Sequence, residues 1–258
     1  MILCSYKSNF ITAKSTERDK CHHLHSVLLI MNDIEILPRK KKENNRDYVY
    51  RVIRENIVNL TLKPGSTISE NELATALQVS RTPVRETIIE LSRLDLVEVF
   101  PQKGSQITRI NIKHADEAIF LRNVLERAVV RMVCEIADEA EIKQLTDNVD
   151  LYEFYLNKGQ LDKLINVDND FHALLFSIAH KEKIHKLIRN FAVHSDRTRY
   201  LQLQSSREGH VLNDHRKIVQ AIQERSPDKA EQAIEEHLSR YQLNLEALLE
   251  KYPDYFCR

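Results

Sequence analysis

The apolar periodicity of this chain changes twice, and the two changes decide which folds are open to it. From Tyr48 the period is helical, with Val49, Val52, Ile53, Ile57 and Leu60 on one face. "LKPG", residues 62–65, stops that helix. "ISENELATALQV" opens the next, with Ser69 as N-cap, Glu72 three residues on as in a capping box, and Leu73, Ala76 and Leu77 as its apolar stripe. After a short turn Ser80 caps a third helix. Pro83 sits in its first turn, where a missing N–H costs nothing, and Val84, Ile88 and Leu91 face inward. From Leu96 to Ile110 the period drops to two, and "LVEVFPQKGSQITRI" reads as a hairpin around "QKG". After Asn111 the helical period returns in segments near 113–137, 139–157, 160–180, 182–204, 208–224 and 227–250.

Helix, helix, short turn, helix and hairpin is the order of a winged helix-turn-helix. The fold expected is therefore mainly α: an N-terminal winged helix-turn-helix domain over 39–111 and a C-terminal all-α bundle over 112–258. Only four glycines and six prolines in 258 residues agree with so much helix. Residues 1–38 show no period and read as a disordered or extended tail. Met31 is a second plausible start, which would make the first 30 residues an upstream extension. "CHHLH", Cys21 to His25, has no second ligand cluster near it and reads as incidental. No apolar run approaches the ~20 residues of a membrane helix, so no membrane partner is expected. The four cysteines, Cys4, Cys21, Cys134 and Cys257, form no CxxC and suit a reduced, cytoplasmic protein.

Net charge is zero overall but unevenly spread. Residues 39–110 carry 13 Lys+Arg against 9 Asp+Glu, and residues 111–258 carry 21 against 25, giving +4 and −4. A basic first part suits an anionic partner. Arg81 and Arg85 lie four apart at the first turn of the third helix, flanked by the short hydroxyls of Ser80 and Thr82. In the winged arrangement that turn meets the major groove, where free N–H groups suit phosphate and arginine suits guanine.

The stretch from "LKPG" through "VSRTPVRE" and "DLVE" to the wing "PQKG" closely resembles the N-terminal domain of GntR-family bacterial transcription regulators, over about 65 residues. The resemblance implies that Arg81, Thr82, Pro83 and Arg85 approach DNA, with Lys103 and Gly104 at the wing tip over the minor groove. Thr87 and Asp95 stand where the family more usually has Ala and Gly. Asn71 stands where many relatives have a charged residue.

In the bundle, "VDNDFHALLFSIAH" puts Asp168 and His172 four apart on one helix face. His215 shares a face with Ile218, Val219 and Ile222, and His237 with Ala230, Ala233, Tyr241 and Leu245. Three inward histidines on separate helices, one beside a carboxylate, suit a divalent Zn, Ni or Mn ion rather than Ca. "FLRNVLERAVVRMV", "DNDFH", "DHRKIVQAI" and "AIEEHL" resemble the FCD ligand-binding domain of the FadR subfamily of GntR regulators. That resemblance implies metal ligands Asp168, His172, His215 and His237, and a small carboxylate effector on the metal. Arg122 is either a partner of that carboxylate or a structural ion pair with Glu126. His180, His185, His194 and His210 read as surface or core residues, and "YPDYF", 252–256, as an aromatic tail on the bundle.

The function expected is a metabolite-responsive regulator, most often a repressor in this family. It would bind a palindromic double-stranded operator as a homodimer. A metalloenzyme is the rival reading, but there is no HExxH, and only Glu182 and His185 fit one of the two ExxH motifs a di-iron site wants. A second rival is an architectural DNA-binding protein that senses nothing.

Overall fold

The structure is a computed structural model, and it describes residues 34–205, 209–240 and 245–257. Cys4, "CHHLH", Met31 and Tyr241 lie outside these residues. The N-terminal body runs α1 (Asn45–Val58), β1 (Thr67–Ile68), α2 (Glu70–Ala76), α3 (Arg81–Ser92), β2 (Val97–Phe100) and β3 (Gly104–Ile107). α1 starts three residues before Tyr48, because Asn44 caps it by accepting the Asp47 amide at 2.9 Å. The hairpin forms in the register Val97↔Ile107 and Phe100↔Gly104. β1 pairs with the other side of β3, so the wing is a three-stranded sheet in the order β1-β3-β2. The helices and sheet close over one core that includes Val52, Ile53, Leu73, Val84, Ile88 and Ile107. Ordered chain begins before residue 39: Ile34 and Leu37 pack on this core, and the Glu35 amide donates to Asn56 Oδ1 at 2.8 Å.

The C-terminal body runs α4 (Ile112–Ile136), α5 (Glu139–Lys158), α6 (Leu161–Ile178), α7 (Glu182–Ser205), α8 (His210–Gln223), α9 (Pro227–Ser239) and α10 (Leu245–Lys251), then a 3₁₀ turn at Pro253–Tyr255. The last helix expected from the sequence is thus described in two pieces. A full capping box starts α5: Asp138 Oδ1 accepts the Glu141 amide, and Glu141 Oε2 accepts the Asp138 amide. No described helix is long and apolar enough to cross a membrane. Cys134 is buried and Cys257 exposed, both free thiols.

α7 lies between the two bodies. Its Ile188 and Ala192 belong to the bundle core, while Val193 belongs to the core of the N-terminal body. The aromatic tail departs from its expected place for a related reason. Phe256 joins Leu60, Ile110, Leu201 and Leu248 in a small cluster at the junction. The chain here bridges to Ile110, whose amide donates to Tyr255 O at 2.8 Å and whose carbonyl accepts from Cys257 N at 3.0 Å. The tail therefore seals the joint between the bodies rather than packing on the bundle alone.

Two of the three family departures, Thr87 and Asp95, have clear positions. Thr87 is fully buried, and its hydroxyl has no hydrogen-bond partner. Asp95 has φ +54°, a left-handed conformation that favours glycine, and its carbonyl accepts the Thr108 hydroxyl at 2.7 Å. An L-residue held there carries strain of roughly 1–2 kcal/mol, less for Asp. Asp95→Gly is expected to stabilise the protein by up to about 1 kcal/mol, and Asp95→Val to destabilise it. Midpoints of urea unfolding check both signs.

Candidate functional site

The first candidate surface is the start of α3. Ser80 holds the N-cap position, but its hydroxyl makes no capping hydrogen bond. The first-turn N–H groups of α3 are therefore not capped from that side, as a phosphate-binding helix end requires. Ser80, Arg81, Thr82 and Arg85 are exposed, whereas Pro83 is buried on the opposite side of the turn with Val84. Arg81 and Arg85 line one groove of about 760 Å³ with Lys103 and Gly104 of the wing and with Asn71. Gly104 has φ +99°, so the wing turns there on a conformation that a side chain resists. Glu70 and Glu72 also line the groove, and Glu70 Oε2 lies 3.5 Å from Arg81 Nη2. The Arg81 side chain is 66% exposed, so this pair is weak and releases the guanidinium easily.

The second candidate lies inside the bundle. Asp168 and His172 come from α6, His215 from α8 and His237 from α9. One donor atom from each lies within 4.8 Å of the other three, and all four side chains are buried. His172 Nε2 is 3.2 Å from His237 Nε2. Asp168 Oδ1 is 3.4 Å from His215 Nε2 and 4.0 Å from His237 Nε2. A tetrahedral ion with bonds of about 2.0–2.1 Å sets its ligands about 3.3 Å apart, so these separations suit one.

The partners behind these atoms fix which nitrogen faces the centre. His172 Nδ1 contacts Glu126 Oε2, and Arg122 Nε donates to Glu126 Oε1 at 2.8 Å. The Nδ1 proton therefore points at Glu126, and the Nε2 lone pair points inward. His237 Nδ1 lies 3.6 Å from Asp214 Oδ2, which also accepts from Arg240 Nε at 2.7 Å. His215 stacks on Phe171 with ring centroids 4.0 Å apart. Asp168 Oδ2 contacts Arg199, while Asp168 Oδ1 and His215 Nε2 are buried without a hydrogen-bond partner. Inward lone pairs and two orphaned buried atoms are what a cation satisfies together, so the residues fit a divalent metal.

Burial pushes the imidazoles toward the neutral form that ligates: His172 falls to about 3 despite Glu126, and His215 is lowered as well. Burial would raise the Asp168 carboxyl, but Arg199, with His215 and His172, outweighs it and holds Asp168 well below the usual range. Burial would likewise raise Glu126, and Arg122 with His172 reverses that.

The four ligand residues expected from the sequence thus converge. Arg122 is 4% exposed and engages Glu126, the structural alternative raised for it. Three supporting residues escaped the sequence reading: Arg199, Asp214 and Arg240. Asp214 immediately precedes His215, and Arg240 follows His237 by three, so both sat beside residues already singled out. Arg199 sits in "SDRTR", which resembles a solvated helix face and gives no signal. Among the remaining histidines, His180 and His210 are exposed, His185 lies half-buried against Phe176, and His194 is half-buried edge-on to His114.

Comparisons with known proteins cover both domains. Residues 45–107 match the family described as bacterial regulatory proteins, gntR family, and residues 117–240 match the FCD domain. The HTH-type transcriptional repressor RspR of Escherichia coli is 31% identical over 209 residues, covering 81% of this chain and 92% of that protein. An HTH-type regulator from an unstable DNA locus of Streptomyces ambofaciens is 31% identical over 220 residues, covering 83% and 90%. Escherichia coli McbR/YncC has the same fold at TM-score 0.70 and 18% identity, covering 81% of this chain and 99% of that one. A putative GntR regulator from Rhodococcus sp. RHA1 follows at TM-score 0.67 and 22% identity, covering 78% and 97%. With its winged domain, its helical FCD domain and relatives aligned over nearly their whole length, this chain belongs to the GntR family of DNA-binding transcription regulators, and it is not an enzyme.

Proposed function

We propose that the protein is a metabolite-responsive repressor. It binds a two-fold-related operator as a dimer, and a small carboxylate at a divalent metal on Asp168, His172, His215 and His237 controls it. The observation that carries this reading is the charge balance around the ligand cluster. Arg122 is paired with Glu126, Arg199 with Asp168 and Asp196, Arg189 with Asp196, and Arg240 with Asp214. With the imidazoles neutral, these pairs sum to no net charge before any ion enters. A divalent ion then adds two uncompensated positive charges in a dry interior, where unpaired charge is expensive. An anionic ligand restores neutrality. Zn, Ni or Mn suits the donor set, and such an ion supplies a Lewis-acidic seat for a carboxylate oxygen. Arg122 and Arg199, both buried beside the cluster, are the cations best placed to meet the rest of that anion.

The repressor role is supported by the name of the Escherichia coli relative. Dimerisation is supported by exposed apolar pairs, four residues apart, on two helices that pack together: Phe120 (71% exposed) and Val124 of α4, and Leu187 (65%) and Phe191 of α7. Large apolar side chains grouped at this exposure mark an interaction surface. A second copy related by a two-fold axis would cover it and present two α3 helices to one operator. Ser80, Arg81, Thr82 and Arg85, with Lys103 and Gly104, would then contact DNA directly, and Pro83 would shape the turn from beneath. To switch, the effector must bind the operator-competent and released states with different affinity.

Arg81→Ala and Arg85→Ala are each expected to weaken operator binding by roughly 1–3 kcal/mol. Fluorescence anisotropy on duplexes selected from genomic fragments reads this, and unchanged affinity in both variants would refute the assignment. In thermal unfolding, zinc at a hundredfold excess over its Kd is expected to stabilise the protein by about 2.7 kcal/mol. A matching hydroxy acid, sugar acid or dicarboxylate should add a further rise that chelation abolishes. His215→Ala is expected to lose both responses. A carboxylate response that survives chelation would contradict a metal-borne effector.

A further inference from the structure

Five consecutive polar residues of α7 form a buried run, and only Arg199 among them has a part in the function described so far. Ser195, Asp196, Arg197, Thr198 and Arg199 are all buried, none more than 4% exposed. Their contacts run in two directions. Toward the ligand cluster, Arg199 contacts Asp168, and its Nη1 donates to Asp196 Oδ1 at 2.7 Å. Toward the winged domain, Asp196 Oδ2 pairs with Arg189 Nη2 at 3.1 Å, and the Arg189 carbonyl accepts from Arg54 of α1 at 3.2 Å. Arg54 also helps hold the Asp196 carboxyl low, after Arg189 and Arg199. Asn169, next to Asp168, accepts from both Arg189 and Arg199, at 3.0 and 3.1 Å. Arg197, beside Asp196 in sequence, donates to the Thr108 carbonyl at 2.6 Å, where the wing leads into α4.

We propose that Asp196 is a coupling residue, the carboxylate through which the state of the metal site reaches the DNA-binding domain. The inference rests on the reading of Asp168 as a metal ligand. In a buried network, a charge cannot be left unpaired, so the pairs rearrange together. When Asp168 commits its charge to a cation, it shares less with Arg199, and Arg199 leans on Asp196 and Asn169. Arg189 competes for the same two acceptors. Its backbone carbonyl and the Arg197 guanidinium are polar contacts by which α7, beside the packing of Val193, holds α1 and the wing's exit. A change at Asp168 therefore shifts the grip of α7 on the winged domain, and a chain of discrete ion pairs can pass it on.

The test uses the full-length protein stripped of metal and titrated with zinc alone. Competition with a chromophoric chelator gives zinc affinity, and amide hydrogen exchange reads α1 and residues 104–112. In the wild type, zinc is expected to slow exchange in α6 and α8 and, by about fivefold, in α1. Asp196→Asn and Arg54→Met should bind zinc within about tenfold of wild type, less than the loss expected when a ligand's own partner is removed. Both should keep the α6 and α8 response and lose the α1 response. Arg54 is half-buried and outside the bundle, so Arg54→Met remains informative if Asp196→Asn fails to fold. An α1 response that persists in Arg54→Met, or that is missing from the wild type while zinc binds, overturns the coupling and leaves the metal site standing. Absence of zinc binding in the wild type overturns both.

Discussion

Three imidazoles and a carboxylate converge where none is more than 3% exposed, and the rest of the bundle is organised to make that tolerable. Buried polar atoms need partners, and buried charges need opposite charges. On two outer faces the cluster meets carboxylates of the protein itself. Glu126 and Asp214 face the Nδ1 atoms of His172 and His237, and each carboxylate is backed by an arginine. Toward the centre, Asp168 Oδ1 and His215 Nε2 are left without hydrogen-bond partners. In the function proposed here, a cation followed by an anion would complete what the side chains leave open. Sensing, as proposed, would be the completion of a neutral core.

The same constraint explains α7. A helix with polar residues at five successive positions would ordinarily face water on one side. Here bundle core, ligand cluster and winged domain press on it from several directions, so the polar run must find internal partners. Buried ion pairs add little net stability, and well-packed apolar residues would often serve as well. What they provide is a fixed set of pairings between two bodies. The junction is reinforced by the tail, where Phe256 packs with Leu60 of the N-terminal body and Leu201 of α7.

Much of this was legible in the sequence. The i,i+4 spacing of Asp168 and His172 and the apolar stripes beside His215 and His237 put these four residues on inward faces, and the resemblance to the FCD domain implied that they hold a metal. The breaks at "LKPG" and the S-R-T-P start of α3 located the winged domain. The unread parts share a physical reason: they depend on what lies opposite. β1 is two residues long and forms only because β3 offers an edge. "SDRTR" has the composition of a solvated face, and only the meeting of two bodies buries it. Phe120 and Leu187 satisfy helical periodicity, yet their faces point outward. For Arg122, two roles fitted the spacing equally, and tertiary packing put Glu126 against it.

X-ray absorption at the zinc edge, on protein loaded with one equivalent of metal, tests the central claim most directly. The account predicts three imidazole nitrogens at about 2.0–2.1 Å and a carboxylate oxygen at about 2.0–2.2 Å. Fewer than two imidazoles, or sulfur near 2.3 Å, would contradict it, because the ion would then sit somewhere other than among Asp168, His172, His215 and His237.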